Sequence, residues 1–210
     1  MNDRTDISGY VYDDGELNSS HSYLLPALET ELGRLAGDDK RLFDLGCGNG
    51  SVGAAFSRSG WNVTGVDVSS DGIAYAKRVH PELRLETGSA YDDLAGKFGV
   101  FPVVVSLEVV EHLYDPRTYA STLFGLLVPG GTAIVSTPYH GYWKNLVLSV
   151  TGKMDNHFHA LWDHGHIKFW SIPTLTELLR EAGFETPRFE RVGRIPPLAK
   201  SMIAIARKPG

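Results

Sequence analysis

Two glutamates and a histidine stand close together after an apolar run, in Glu108-Val-Val-Glu111-His112. On a helical turn, residues three and four positions apart share one face, so these side chains are expected to converge. Two carboxylates and an imidazole can hold a divalent cation such as Mg²⁺ or Mn²⁺. The same residues can instead shape a pocket, with His112 or Glu108 acting as a general base. The residue types leave both interpretations open.

A second group of chemically useful residues is the glycine-rich segment Asp44-Leu-Gly46-Cys47-Gly48-Asn-Gly50. Alternating glycines between an apolar run and a helical pattern allow unusual backbone dihedrals and close approach of a ligand. Asp67 ends the next apolar run, where an acidic side chain can accept the hydroxyls of a ribose. The NAD fingerprint requires glycine at position 51, which is serine here. The spacing therefore predicts a nucleoside-containing ligand other than NAD.

With these residues in view, the segment resembles the first motif of class I S-adenosylmethionine (SAM)-dependent methyltransferases. Gly88-Ser89-Ala90, Ser106-Leu107-Glu108 and Leu127-Val-Pro-Gly-Gly131 extend the resemblance over about residues 40 to 137. It implies that Asp44 and the loop of Gly46, Cys47, Gly48 and Gly50 contact the methionine part of SAM, and Asp67 the ribose. It places Val68, Ser89 and Ala90 beside the adenine and Leu107 beside the sulfonium. Core packing is the alternative role for the apolar members of this set.

Two narrower resemblances concern the acceptor side. His164-Gly-His166-Ile-Lys-Phe-Trp-Ser171 is similar to a segment of small-RNA 3′-terminal ribose methyltransferases, which supplies a metal ligand after a Glu-x-x-Glu-His motif. That similarity implies Glu108, Glu111, His112 and His166 as metal ligands, with His164 as the alternative to His166. The size and layout of the chain resemble the ubiquinone-pathway O-methyltransferases more closely.

A metal ion or a general base would help methyl transfer to a hydroxyl, because a hydroxyl is a poor nucleophile until it loses its proton. A phenol with a pKa near ~10 is only about 0.1% ionised at pH 7, a deficit of roughly 4 kcal/mol. A metal ion at the oxygen, or His112 as general base, would offset much of this deficit. The residue pattern therefore favours methyl transfer to oxygen.

These residues need a scaffold, and the chain alternates short apolar runs with helical patterns, as βαβ units do. The predicted class is α/β: a Rossmann-like seven-stranded sheet with the last strand antiparallel and helices on both faces, the hairpin being implied by the resemblance. The predicted strands are 41–45, 62–66, 83–86, 101–107, 132–137, 185–192 and 201–207. The predicted helices are 17–36, 52–59, 70–79, 116–127 and 174–182, the last with a capping box at Thr174 and Glu177.

Residues 138–170 break this alternation and are rich in aromatic residues and histidine, typical of an insertion that covers an acceptor pocket. His140 is the candidate nearest the acceptor because it directly follows the fifth strand. Trp143, Leu146, Val147 and Val150 recur at helical spacing. Such a stripe either docks on its own domain, which is the favoured interpretation, or lies on a membrane surface. The tyrosines from Tyr10 to Tyr23 are candidates for a cover over the SAM site.

Bulk properties narrow the class of protein. The 210 residues fit a single domain, with an N-terminal helical segment 1–38 and the insertion 138–170. The formal charge of −5 makes a nucleic-acid partner unlikely, and no apolar run has the length of a transmembrane segment. A single cysteine and the polar start of the chain indicate a cytoplasmic protein.

Three functions are consistent with these features. The first is O-methylation of a small aromatic or quinol-like molecule, with or without a metal ion. The second is 2′-O-methylation of an RNA 3′ end, and the third is SAM binding without catalysis. Oligomeric state leaves no signature in the sequence.

Overall fold

A seven-stranded mixed sheet forms the centre of the protein, in a computed structural model that describes residues 20–162 and 165–210. The strands are β1 Arg41–Leu45, β2 Asn62–Asp67, β3 Arg84–Thr87, β4 Phe101–Leu107, β5 Leu127–Pro138, β6 Arg188–Val192 and β7 Ser201–Arg207. Their order is β3-β2-β1-β4-β5-β7-β6, with β1 to β5 parallel and β7 antiparallel to both its neighbours. The predicted fold class is therefore confirmed.

Helices cover both faces of this sheet. The α-helices are α1 His21–Leu35, α2 Ser51–Arg58, α3 Ser70–Val79, α4 Leu94–Phe98, α5 Pro116–Gly125, α6 Tyr142–Val150, α7 Met154–His157 and α8 Ile172–Glu181. Two 3-10 helices, Val110–His112 and Pro196–Leu198, complete the described elements.

Alternation along the central strands produces two separate hydrophobic cores. In β1, Phe43 faces a core shared with α5 and α8, and Leu42 faces a core shared with α1, α2 and α3. Val104 and Val105 of β4 divide in the same way. A strand buried on both faces shows a nearly continuous apolar run because neither side meets water.

Most predicted elements are confirmed, but several bounds differ: β5 begins at Leu127 rather than residue 132, and β6 at Arg188 rather than residue 185. Helix α5 ends at Gly125 rather than residue 127, since Leu127 already pairs with Phe101 as part of β5. The cap of α8 is Ser171, which forms a capping box with Thr174, so the predicted box at Thr174 and Glu177 is wrong. The short helix α4 carried no sequence signal, because only Leu94 in it is buried.

The chain adds β2 and β3 on one side of β1, and the connection from β3 to β4 then returns it to the other side of β1, which reverses the direction in which strands are added. At such a switch point the loops after neighbouring strands separate and leave a crevice at the carboxyl ends. The glycine-rich segment follows β1 and the acidic motif follows β4. The topology therefore brings the two predicted sites together. Within the described residues, no helix is both long and apolar enough to cross a bilayer.

Candidate functional site

The glycine-rich loop turns sharply between β1 and α2. Gly46, Gly48 and Gly50 all have positive φ, at 90°, 52° and 76°, a region that disfavours side chains. The amides of Gly46 and Cys47 donate to the carbonyl of Val66 on β2, at 2.8 and 3.0 Å. The loop is thus fixed to the neighbouring strand, and the N-terminus of α2 lies directly behind it.

The carboxylate of Asp67 bridges two backbone segments. Its Oδ2 accepts from the Gly48 amide at 2.9 Å, and its Oδ1 accepts from the Ser69 amide at 2.8 Å. A carboxylate can accept several hydrogen bonds at once, so these two contacts are compatible with binding of a hydroxyl ligand. Asp67 therefore shapes the glycine loop as well as lying where a ribose is expected.

Asp44 lies at the end of β1 and is almost fully buried. Its Oδ2 has no hydrogen-bond partner among the described residues. Burial, reinforced by repulsion from Asp67, raises the pKa of Asp44 to about 7. A buried, unpartnered carboxylate is costly, and a cationic ligand such as an α-amino group would relieve that cost.

The residues predicted to flank the adenine lie beside this loop. The Gly88 amide donates to the Asp67 carbonyl at 2.9 Å, which places the turn after β3 against the end of β2. Ser89 is partly buried, Ala90 packs on the core, and Val68 is exposed. Leu107, at the end of β4, also packs partly on a core, so both suggested roles remain open for it.

Glu108 has an unusual backbone conformation. Its φ of 55° is positive, and among the described residues it is the one non-glycine in that region. The helical turn predicted for it is therefore wrong; the 3-10 helix begins at Val110. Its Oε1 accepts from Ser136 at 2.8 Å and its Oε2 from Ser201 at 3.4 Å. Strain of about 1–3 kcal/mol at such a residue is typical of functional sites.

Glu111, His112 and His166 form a compact cluster. One potential ligand atom from each lies within 4.8 Å of the others, and Glu111 Oε1 is 4.0 Å from His166 Nε2. Glu111 is fully buried, and within the described residues its carboxylate has only weak donors nearby, the Thr137 hydroxyl and its own amide, neither of which forms a hydrogen bond of good geometry. Burial, with repulsion from Glu108, raises its pKa well above the ordinary value.

The two histidines are oriented by backbone contacts. His112 Nδ1 lies 3.2 Å from the Gly165 carbonyl, which can only accept, so this bond places a proton on Nδ1. The amides of Ile167 and Lys168 both donate to the Glu111 carbonyl and so hold His166 beside the cluster. Burial, with repulsion from His112 and His157, lowers the pKa of His166 to about 4.

The structure brings three of the four predicted metal ligands together and places Glu108 outside that group of three. Its carboxylate instead bonds the two serine hydroxyls described above. His164 lies outside the described residues, as do Tyr10 and Tyr12.

His140 lies at the start of the insertion and is packed among aromatic rings. Its ring centroid is 5.1 to 5.4 Å from those of His157, Phe158 and Phe169. Burial, reinforced by Lys144 and His157, lowers the pKa of His140 to about 4. The imidazole is therefore neutral near pH 7 and offers a lone pair rather than a charge.

Three site residues were missed by sequence reasoning, namely Ser136, Lys144 and Ser201, which surround Glu108. The Lys144 ammonium interacts electrostatically with the Glu108 carboxylate. Tyr23, a predicted member of the cover, has its Oη 3.4 Å from Ser201 Oγ. Ser136 carried the clearest available signal, a polar residue near the end of a predicted buried strand. Ser201 and Lys144 carried none, because β7 and α6 reach Glu108 only through tertiary packing.

A crevice at the switch point of an open α/β sheet is where such folds bind their ligands. Residues 19–187 match the family described as "Methyltransferase domain", and the chain belongs to that family. It is 41% identical to the ubiquinone biosynthesis O-methyltransferase of Caulobacter sp. (strain K31) over 50% of this chain and 43% of that protein. It is 31% identical to the enzyme of the same name from Psychrobacter arcticus over 69% of this chain and 59% of the relative. The chain thus spans about half the length of these relatives.

Solved structures share the fold at lower identity. Magnesium protoporphyrin IX methyltransferase from Synechocystis PCC 6803, with bound SAH, superposes with a TM-score of 0.66 at 20% identity, covering 94% of this chain and 90% of that one. A SAM-dependent methyltransferase from Archaeoglobus fulgidus gives 0.65 at 17% identity, covering 88% and 93%. These similarities establish the architecture.

Proposed function

We propose that this protein transfers the methyl group of SAM to a hydroxyl of a small aromatic or quinol-like acceptor. The observation that carries the proposal is the position of the Glu111, His112 and His166 cluster beside the glycine loop. The two regions touch, since a Cβ added to Gly46 would collide with the side chain of Val109. An acceptor oxygen at the cluster would thus lie next to a cofactor on the loop.

Methyl transfer from a sulfonium is an in-line displacement, to which an enzyme contributes mainly by holding the two reactants in line. The glycine loop and Asp67 would hold the donor, with Asp44 facing its cationic amino group. The aromatic side chains around His140 would hold a flat acceptor. As the oxygen attacks the methyl carbon, its proton must leave, and the imidazole of His112 or the neutral imidazole of His140 is placed to accept it.

The residues present also fit a divalent cation. Both carboxylate oxygens of Glu111 are buried without a hydrogen bond of good geometry among the described residues, and the neighbouring imidazoles of His112 and His166 offer nitrogen ligands. Glu111, His112 and His166 would hold the ion. Glu108 is close enough to repel Glu111 electrostatically, so its negative charge would also attract a cation bound at the cluster. One carboxylate with two imidazoles favours Mn²⁺ over Mg²⁺. When bound, such an ion lowers the pKa of a coordinated hydroxyl.

The class of acceptor is suggested by the insertion and by the relatives. Phe158 and Phe169, beside His140, stack edge to face at 4.6 Å, and an aromatic acceptor could extend this stack. The relatives named above are ubiquinone biosynthesis O-methyltransferases. A catechol or quinol is therefore the acceptor class that we propose for this chain.

The direct test is a mass-spectrometric assay with trideuteromethyl SAM and a panel of catechols and quinols. Metal-free protein is assayed alone and with added Mg²⁺ or Mn²⁺. We expect products heavier by one deuterated methyl group, formed faster with metal, and a loss of at least tenfold in Glu111→Gln. Glu29→Gln, an exposed glutamate on α1, is the matched control and should retain full activity.

Three results would contradict parts of this proposal. Methylation of an RNA oligonucleotide 3′ end in place of the phenols would favour the ribose methyltransferase alternative. SAM binding without transfer to any panel member would favour a non-catalytic protein. Full activity in metal-free protein would remove the metal ion and leave the histidines as bases.

A further inference from the structure

Helix α6 directs Lys144 and Asn145 toward the protein and its apolar stripe toward water. Lys144 is buried, and Asn145 and Leu148 on the same inner face are half-buried. By contrast, Trp143 is 61% exposed and Val150 is 78% exposed. The expectation that the apolar stripe docks on its own domain is therefore wrong. The inner face instead carries an ammonium and a carboxamide, polar groups that need partners where water is excluded.

The carboxamide of Asn145 lies beside the imidazole of His140. Asn145 Oδ1 and His140 Nδ1 are both buried, and within the described residues neither has a hydrogen bond of good geometry. Burial lowers the pKa of His140 most strongly, whereas hydrogen bonding to Asn145 raises it. A contact that raises the pKa of an imidazole favours a proton on the ring, so the side of the carboxamide that faces the ring is its accepting oxygen.

This contact distinguishes the two ring nitrogens of His140. A carboxamide oxygen only accepts, so a hydrogen bond to it requires a proton on Nδ1. Burial, with Lys144 and His157 nearby, keeps the imidazole neutral near pH 7, and a neutral imidazole carries a single N–H. The lone pair is then on Nε2. Nδ1 is inaccessible to solvent, and nothing among the described residues encloses Nε2 in the same way, so Nε2 is the nitrogen that an acceptor can approach.

The backbone holds the imidazole and the carboxamide in fixed positions. The His140 amide donates to the Trp170 carbonyl at 3.1 Å, and the Asn145 amide donates to the Gly141 carbonyl at 3.0 Å in the first turn of α6. The ring of Phe169 lies edge-on against the imidazole, at a centroid distance of 5.1 Å. A proton on Nε2 instead of Nδ1 would leave the Asn145 oxygen buried without a donor, which costs free energy.

We propose that Asn145 is a positioning residue, which holds a proton on Nδ1 of His140 so that Nε2 is the base for methyl transfer. This inference rests on the proposed function, because it names the base for the same reaction. The O–H bond of the acceptor breaks and its proton passes to Nε2, while an oxygen electron pair forms the bond to the methyl carbon and the sulfonium leaves as a neutral thioether. The imidazolium then gives its proton to water. His112 has a separate task, since it belongs to the cluster with Glu111 and His166.

The tautomer of His140 is read directly from long-range ¹H–¹⁵N spectra of the full chain labelled with ¹⁵N-histidine, and the measurement needs no methyl transfer. His140→Gln identifies the signals of this residue. In the wild type near pH 7, Nδ1 should have the chemical shift of a protonated nitrogen and Nε2 that of an unprotonated one. Asn145→Leu, which is similar in size but has no acceptor, should populate both tautomers. Asn62→Leu, at an exposed position on β2, is the matched control and should keep the wild-type shifts.

Steady-state kinetics with SAM and a catechol give the second readout. General-base assistance contributes typically about 10²- to 10⁴-fold, so we expect kcat to fall at least about tenfold in Asn145→Leu. The KM values for the catechol and for SAM should change less than about threefold, because Asn145 acts through His140 rather than on either reactant. Asn145→Asp keeps an accepting oxygen at the same position and should recover most of the lost kcat.

Three outcomes would overturn the proposal. The first is a proton on Nε2 of His140 in the wild type, a result that depends on no variant being folded. The second is an unchanged tautomer in Asn145→Leu, with the variant shown to be folded by circular dichroism and its melting temperature. The third is a changed tautomer with an unchanged kcat, since His140 would then not be the base. Failure of the proposed function has a different signature, namely no methylated product from the wild type, and the ¹⁵N shifts still decide the tautomer in that case.

Discussion

The two bonds from the Asp67 carboxylate to backbone amides suggest that this residue affects the cofactor in two ways. Asp67→Ala removes the acceptor expected for the ribose and also releases the glycine loop at Gly48. Hydrogen bonds to a charged group are worth about 1.5–3 kcal/mol, so we expect SAM affinity to fall roughly 10- to 100-fold. Isothermal titration calorimetry measures the change. The exposed Asp71→Ala, four residues away, should bind as wild type does; equal affinity in both variants would remove Asp67 from the site.

The raised pKa of Asp44 leads us to expect that the free energy of unfolding depends on pH. In the folded protein without ligand its pKa is about 7, above the ordinary value of 3.8. A carboxyl group with a raised folded pKa binds more protons in the folded than in the unfolded state. Its presence therefore costs stability progressively as pH rises from about 4 to 7, by up to roughly 4 kcal/mol. Asp44→Asn lacks this titration.

Urea denaturation at pH 5 and pH 8 tests that expectation. The unfolding free energy of wild type should fall more steeply with rising pH than that of Asp44→Asn. Parallel pH dependences in the two proteins would show that Asp44 ionises normally when folded.

At the scale of elements, the turn from β1 into α2 depends on Gly50. This residue has a φ of 76°, and a Cβ there would lie 2.8 Å from Leu85 Cδ1. Gly99 has a similar φ of 80° but open space around its Cβ position. Both Gly→Ala variants incur the backbone cost of about 1–2 kcal/mol, but only Gly50→Ala adds a clash. We expect Gly50→Ala to be the less stable by at least about 1 kcal/mol in chemical denaturation. Equal losses would mean that Leu85 moves aside freely.

The insertion presents two tryptophans with different surroundings. Trp162 packs near the rings of His112 and His166, at centroid distances of 6.2 and 5.0 Å, whereas Trp143 faces outward. Trp162→Ala should therefore raise the KM for a short-chain catechol severalfold while changing the KM for SAM little. Trp143→Ala should change neither value. Steady-state kinetics distinguish the two variants. Equal shifts in both KM values for Trp162→Ala would contradict the expectation that the insertion covers the acceptor site.

The cofactor side of the molecule could be predicted from the sequence, whereas much of the acceptor side could not, for a physical reason. The strands and the glycine loop follow local rules, namely buried apolar runs and turns that require glycine, and β1 and β4 have the predicted boundaries. The acceptor side depends on contacts between distant segments. Ser201 reaches Glu108 across 93 positions, and the direction of the α6 stripe depends on where Lys144 is buried. Helical spacing identified the stripe, but spacing alone does not determine which face meets water.

At the scale of the whole molecule, the switch point of the sheet brings carboxylates together at a cost in stability. Asp44 and Glu111 are buried and Glu108 is half-buried near the carboxyl ends of β1 and β4, and desolvation raises the pKa of each. The protein without ligands is therefore less stable than its two cores alone would make it. Ligands that bring positive charge to this crevice should stabilise the entire fold, because they bind only the folded state.

The cluster around Glu111 allows a test in which the effect of one substitution changes sign. Without metal, Glu111→Gln should melt above wild type by about 2–6 °C at pH 8, because an uncompensated buried carboxylate is removed. Added Mn²⁺ at about one hundred times its Kd should raise the melting temperature of wild type by about 5–10 °C. Glu111→Gln should respond far less, so the order of the two proteins reverses. Glu29→Gln should follow wild type in both conditions, and differential scanning calorimetry after chelator dialysis provides the measurement. Parallel metal responses in all three proteins would mean that the ion binds elsewhere, and the buried carboxylate would then need another source of positive charge.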